Sequence, residues 1–278
     1  MIFGSNYASM QKLPPPFALD LNRSAGAFFE VNLSDYSFFE LLSQFLVAHE
    51  SIARLAAASG VLILLMIAEW RHPRATQMLA RGQRWPQNFA MAALNMLIVS
   101  LIIPLSTVST AYYAETQNWG ILRSFELPVL LGTALSVIVL DFVIYGQHRM
   151  LHKFPFLWRF HRLHHADPEF DVSTALRFHP AEIVLSLLVK FLSIAILGIS
   201  VESVIIFEIS LNAMATFNHA NFKLPQKLDH LIRKLIVTPD MHRIHHSINF
   251  GEQQSNFGFN LSFWDRIFRT YAAEPQQG

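Results

Sequence analysis

The chain is predicted to be all-α: a multi-pass membrane helical bundle of about four to five spanning or partly spanning helices, with a cytoplasmic histidine-rich helical cap. Three observations carry this. Hydrophobic residues make up 52% of the 278 and charged residues 15%, with mean hydropathy +0.32, whereas a soluble domain carries about 25% charged residues. Apolar runs close to the ~20 residues of a full span recur along the chain. Eleven of the 13 histidines crowd between His148 and His246, beside those runs.

In chain order, residues 1–32 read as irregular, without the continuous apolar core of a cleaved signal peptide. Phe38, Phe39, Leu41, Leu42, Phe45 and Leu46 follow at helical spacing, which predicts an interfacial amphipathic helix of about 14 residues and closes an N-terminal segment 1–50. Residues 51–147 hold transmembrane helices. Spans are expected at about Ile52–Trp70, Phe89–Leu105 and Leu127–Tyr145, the last running into His148. Residues 148–278 form the histidine-rich region, interrupted by a tight membrane hairpin at about 183–217. With the segment Arg71 to Arg84 placed in the cytoplasm, most of the 21 Lys and Arg residues and every histidine cluster fall on that side. The net charge is +1, and no nucleic-acid partner is expected. The membrane could be a bacterial inner membrane or the endoplasmic reticulum.

The histidines form one H-x-x-x-H (His148, His152) and two H-x-x-H-H clusters (His161, His164, His165; His242, His245, His246). Histidines three or four apart on a helix share a face, so each cluster can aim several imidazoles at a single point. A lone buried histidine is usually a hydrogen-bonded core residue, but packed imidazole groups at a membrane face are costly to desolvate without a shared charge to coordinate. A structural zinc takes four ligands and a catalytic zinc three; eight clustered histidines suit two ions. The chain has no cysteine, which excludes thiolate sites, Fe–S clusters and disulfides. The zinc-protease signature H-E-x-x-H is absent too. A metal transporter or store, the alternative class, would need ligands spread through the spans near mid-bilayer, whereas these clusters follow spans.

The order of the three clusters on a multi-pass chain resembles the fatty acid hydroxylase and sterol desaturase superfamily over about Asp141 to Tyr271. The likeness includes Asp141 through Arg149, Phe178-His179-Pro180 with Glu182, Asn218-His219-Ala220-Asn221-Phe222, Thr238-Pro239, Asn256-Phe257-Gly258 and Ser262 through Phe268. Ser173-Thr174-Ala175-Leu176-Arg177 is similar to the alkylglycerol monooxygenase branch, while His179-Pro180 resembles sterol methyl oxidases and general bacterial members. The resemblance implies a membrane di-iron monooxygenase or desaturase that uses O₂ to hydroxylate or desaturate a lipid C–H bond: sterol, alkylglycerol, fatty acyl or similar. The implied ligands to two Fe ions are His148, His152, His161, His164, His165, His242, His245 and His246, with His219 at a further ligand position. Some relatives carry another histidine near Ala215; here His179 either substitutes for it or fixes the turn before Pro180. His49, His72 and His230 match no ligand position.

No amino-acid side chain abstracts hydrogen from an unactivated methylene, so a redox metal must carry that chemistry. No catalytic residue is expected beyond the ligands. Electrons must come from a separate reductase or carrier, and the lipid substrate arrives through the membrane. Carboxylates near the clusters are candidates to orient the imidazoles: Asp141, Asp167, Asp171, Glu182 and Asp240. In the hairpin, Lys190 and Glu208 fall at similar depth on opposing helices, which predicts an ion pair.

Overall fold

The computed structural model describes residues 38–103 and 105–276; the segment expected to be irregular over residues 1–32 lies outside these. The chain divides after Ala53 into two compact units. The first contains helix α1 (Phe38–Ala48), where the amphipathic helix is expected. In the order of the chain, α2 (Glu50–Arg71), α3 (Arg81–Ile102), α4 (Thr107–Thr116), α5 (Val129–Lys153) and α6 (Pro155–His165) follow. After them come α7 (Pro180–Leu197), α8 (Val201–Asn218), α9 (Gln226–Ile232), α10 (Pro239–His245), α11 (Phe250–Gln253) and α12 (Phe263–Ile267). Among the described residues the only β pairing is two isolated bridges, Pro73 with Phe222 and Ile236 with Leu261. The all-α class therefore holds.

Among the described residues four stretches are long and apolar enough to cross a membrane: α2, the segment Arg81–Ser124 that begins with α3, α5 and α7. On the first two, burial runs largely against the pattern of a soluble helix. On α3 the buried residues are Arg84, Asn88 and Asn95, while Leu94, Met96, Leu97 and Leu101 are exposed. On α2, Glu69 is buried and Ile63, Leu64 and Ile67 are exposed. Apolar side chains outward and hydrogen-bonded polar ones inward is the arrangement that hydrocarbon as solvent selects.

The expected hairpin forms from α7 and α8, turned at Gly198 in the left-handed conformation (φ 69°). A Cβ there would strike the Trp119 carbonyl, and one at Gly120 the Gly198 backbone, so two glycines allow the turn to close on the segment after α4. The short helix α4, capped by a Ser106–Ser109 box, has no counterpart in the sequence reading. It packs against both α7 and α8, and α5 packs on α8 as well; Val201, Val204, Ile205, Phe207 and Glu208 of α8 are buried. Helix α8 is thus the central post of the bundle.

Two polar networks lock this bundle. Lys190 Nζ donates to Glu208 at 3.0 Å, as the hairpin geometry predicts; Arg54 lies 3.2 Å from the same carboxylate and Thr107 Oγ1 donates to it at 2.9 Å. The second network anchors the loop after α6 to α3. Arg84 pairs with Asp167 and Asp171, each at 2.9 Å, and Asp171 also accepts from Gln77, Trp85 and Ser173. Burial alone would raise the Asp171 carboxyl. Its hydrogen bonds from Ser173, Gln77 and Trp85, with Arg84 alongside, overcome burial and hold it down at about 2.

Two measurements test these locks. Glu208→Ala strands Lys190 beside a buried gap and is expected to cost roughly 3–5 kcal/mol, read as a lower melting temperature in detergent micelles. Lys190→Met combined with Glu208→Met should cost less than Glu208→Ala. For Asp171 the folded carboxyl titrates below the unfolded one. Its contribution is complete above about pH 4 and is lost as pH falls toward about 2, on the order of 2 kcal/mol in all. Thermal melts against pH should show that loss in the native chain and a flatter profile in Asp171→Asn.

Candidate metal centre

The continuation of α5 beyond its apolar stretch carries His148 and His152 one turn apart on a shared face. Phe154 ends α5, and Pro155 at the first position of α6 starts a new helix at once. This immediate reversal brings His161, His164 and His165 back over His148 and His152. Helix α8 ends at His219. Thr238 caps α10, again with proline at its first position, which presents His242, His245 and His246. Four separate elements therefore supply nine imidazoles to one buried space.

These nine sort into two groups. His148, His152, His161, His165 and His245 form one, and His164, His219, His242 and His246 the other; within each, one nitrogen per ring lies within 4.8 Å of all the rest. Neither H-x-x-H-H cluster serves a single point. His161 and His165 enter the first group while His164 enters the second; His242 and His246 enter the second while His245 enters the first. Residues i and i+4 lie on one face of a helix and their immediate neighbour is turned by about 100°, so the doubled histidine straddles two centres.

The ring orientations are set from outside. His148 Nδ1 donates to the Phe257 carbonyl (2.8 Å), His245 Nδ1 to the Ser255 carbonyl (2.7 Å) and His219 Nδ1 to the Ala215 carbonyl (2.6 Å). His161 Nδ1 donates to Glu182 Oε1 at 2.7 Å. With Nδ1 committed as donor, each Nε2 presents a lone pair. Yet His148 Nε2 faces His161 Nε2 at 3.1 Å, and His219 Nε2 is 3.0–3.2 Å from the Nε2 atoms of His164, His242 and His246. Two unprotonated nitrogens at that distance repel; a cation between them turns the repulsion into coordination. Both nitrogens of His152 and His165 and Nε2 of His245 are buried without a hydrogen-bond partner, a costly state that coordination would relieve.

Burial depresses His164, His165, His242, His245 and His246 well below the usual imidazole range, and the neighbouring imidazoles depress them further. Burial also lowers His219, to about 4, against the opposing pull of its bond to the Ala215 carbonyl. The rings are held neutral, the form that binds metal. Aromatic rings close the surroundings: Phe178 stacks on His164 at 4.4 Å, Phe257 edges His148 and His152, and Phe170 lies against His219 and His246. A cavity of about 550 Å³ reaches His165 and His246 past Phe170 and Arg243.

His179 is not brought into either group. Its Nδ1 accepts the Ala181 N–H and caps α7, and its ring packs on Phe160. Of the five carboxylates, Glu182 alone bonds a clustered imidazole among the described residues. Asp141 accepts from the Asn260 and Leu261 backbones and from Trp264 Nε1, so it holds the segment whose carbonyls orient His148 and His245. Asp167 and Asp171 serve the Arg84 network, and Asp240 pairs with Arg74 at 2.8 Å at a partly exposed position.

Sequence reasoning missed the 255–265 segment as an orienting device. Asp265 accepts the Phe257 and Gly258 N–H groups and the Thr270 hydroxyl, and Asn256, at φ 53°, ties Met241 to Ala272. A Cβ on Gly258 would sit 2.9 Å from Asp265, Leu261 and Val237 atoms, so glycine is required there. The Asn256-Phe257-Gly258 and Trp264-Asp265 runs were the available signal. Ala215 contributes its carbonyl to His219.

Comparison with known proteins agrees with this geometry. Residues 133–270 match the fatty acid hydroxylase family. An ornithine lipid hydroxylase of Rhizobium tropici is 28% identical over 54% of this chain and 45% of its own length. Human alkylglycerol monooxygenase is 27% identical over 68% and 42% respectively, and the zebrafish (Danio rerio) enzyme 30% over 78% and 47%. The chain spans less than half the length of these relatives. No solved structure matches it. The matched region contains all nine clustered histidines together with Glu182, Ala215 and the 255–265 segment that orient four of them, and this region of the chain is a fatty acid hydroxylase domain.

Proposed function

We propose that the chain is an integral membrane di-iron monooxygenase that uses O₂ to hydroxylate a C–H bond of a lipid, with its histidine site on the cytoplasmic side. The carrying observation is the convergence of nine imidazoles in two groups, with His148, His161, His219 and His245 braced from behind by a carbonyl or carboxylate so that Nε2 turns inward. That donor set fits a pair of divalent transition-metal ions, one per group: five imidazoles for the first and four for the second. A redox-active pair of irons would supply the electron transfer and oxygen activation that side chains lack.

The chain's own residues do the rest. Glu182 increases the electron donation of His161 through the Nδ1–H bond and fixes its tautomer. Ser255, Phe257 and Ala215 fix His245, His148 and His219 in the same way through neutral carbonyls. Phe170, Phe178 and Phe257 keep bulk water from the pair, which preserves the field of the ions and protects reactive states from side reactions. The position at the end of α5, beyond its apolar stretch, supports oxidation of a lipid near the bilayer surface and disfavours a transport pathway through mid-membrane. The alkylglycerol monooxygenases and the ornithine lipid hydroxylase among the relatives support oxygen insertion over desaturation. Electrons would come from a separate reductase or carrier.

Metal analysis of the purified chain is expected to find two irons per chain, His165→Ala and His246→Ala each lowering occupancy, and lipids of expressing cells to gain one ¹⁸O atom from ¹⁸O₂. Stoichiometric zinc with lipid profiles indifferent to iron and to O₂ would sink the proposal. Glu182→Gln keeps the hydrogen-bond geometry but removes the charge behind His161; metal binding, followed by chelator competition, should weaken roughly 10–100-fold.

A further inference from the structure

Helix α9 and the turn that continues it are built inside out. Asp229 and Arg233, one turn apart, are buried and paired with each other, and Arg233 also donates to the Ala273 carbonyl. Leu228, Leu231 and Leu235, spaced by three and four residues and so on one face, are exposed at 43%, 63% and 62%. In water this pattern would be reversed. Lys223, Lys227 and Lys234 are exposed beside the leucines.

The neighbouring element has the same character. Ser262 N donates to the Leu235 carbonyl, and the Ser262 hydroxyl and Arg266 both bond the Arg233 carbonyl, so α12 is tied directly to the end of α9. Helix α12 and the residue after it expose Ile267 and Phe268. Phe268 stacks on Phe142 and Tyr145 of α5, and Trp264 packs on Phe142. Phe142 lies six residues before His148, about 9 Å down the helix toward its apolar end. The exposed face of α12 is therefore continuous with the exposed, apolar face of a membrane-spanning helix.

We propose that α9 and α12 form a shelf seated in the headgroup–acyl boundary of the bilayer, with Leu228, Leu231, Leu235, Ile267 and Phe268 in lipid and the three lysines at anionic headgroups. Two features choose lipid over a protein partner: continuity with the lipid face of α5, and lysines flanking an apolar stripe, the pattern of interfacial helices. The shelf fixes the height and tilt of the histidine site above the membrane, which spans alone leave free to vary. This inference rests on the membrane-spanning reading of α2 and α5.

The absence of cysteine from the chain makes the test clean. Single substitutions Leu231→Cys, Leu235→Cys and Ile267→Cys, all at exposed positions, carry a nitroxide label on the full chain in vesicles of phosphatidylcholine and phosphatidylglycerol. Collision with O₂ and with a water-soluble nickel chelate is then measured. Leu64→Cys on α2 serves as the lipid reference and Glu274→Cys, at an exposed charged position, as the aqueous one. The shelf labels are expected to resemble Leu64→Cys, with O₂ favoured severalfold over nickel. Labels that follow Glu274→Cys, or that are shielded from both reagents as at a protein interface, overturn the shelf while Leu64→Cys still reports lipid. A Leu64→Cys label open to nickel instead overturns the membrane-spanning reading itself.

Discussion

Opposed lone pairs at the centre of the molecule set the terms for everything around them. Nine imidazoles converge there in two groups, with some Nε2 atoms only 3.0–3.2 Å apart, and without a cation such an arrangement is poorly hydrogen-bonded. Four of the rings, those of His148, His161, His219 and His245, are committed on their far side. The carbonyls of Ala215, Ser255 and Phe257 and the carboxylate of Glu182 provide this. These groups must in turn be fixed, which is the role of Asp265 and Asp141 beneath the 255–265 segment. The rigidity of the site thus extends through two layers of hydrogen bonds, the outer one anchored on α5.

The second constraint is the solvent. The spans bury polar side chains and expose apolar ones, so the bundle cannot rely on the hydrophobic effect between its helices and instead uses ionic and hydrogen-bonded contacts. The Lys190–Glu208–Arg54–Thr107 cluster holds α8 against α7, α4 and α2. Glu69 accepts the Val172 and Asn221 N–H groups at 2.9 and 2.6 Å, joining the loop after α6 to the residues after His219. The networks that stabilise the bundle are therefore the same ones that position the histidine-bearing elements, and a lesion in one is felt in the other.

Much of this was legible in order along the chain. Histidine spacing, apolar run length and the lack of cysteine pointed to an all-α membrane protein with clustered imidazoles able to hold metal, and the shared depth of Lys190 and Glu208 in a hairpin was enough to predict their pairing. Spacing could say which imidazoles share a helix face. It could not say that the doubled histidines divide between two centres, because that depends on where the second element's rings arrive. Nor could it single out Glu182, which lies farther along the chain from any cluster than Asp167, Asp171 or Asp240. Backbone carbonyls carry no sequence signature, so the orienting parts played by Ala215, Ser255 and Phe257 were invisible.

Local chemistry is what the sequence by itself determined: helix periodicity, proline and threonine starts at α6 and α10, glycine at the closing turn, and a set of ligands whose only common use is metal. The assembly was decided by tertiary structure alone. Which imidazole faces which, which carboxylate backs a ligand and which one merely holds a loop, and why α9 turns leucines outward all depend on contacts between elements far apart in sequence. Those contacts are set by burial in a protein whose outer solvent is hydrocarbon, where a polar group must find its partner inside the fold.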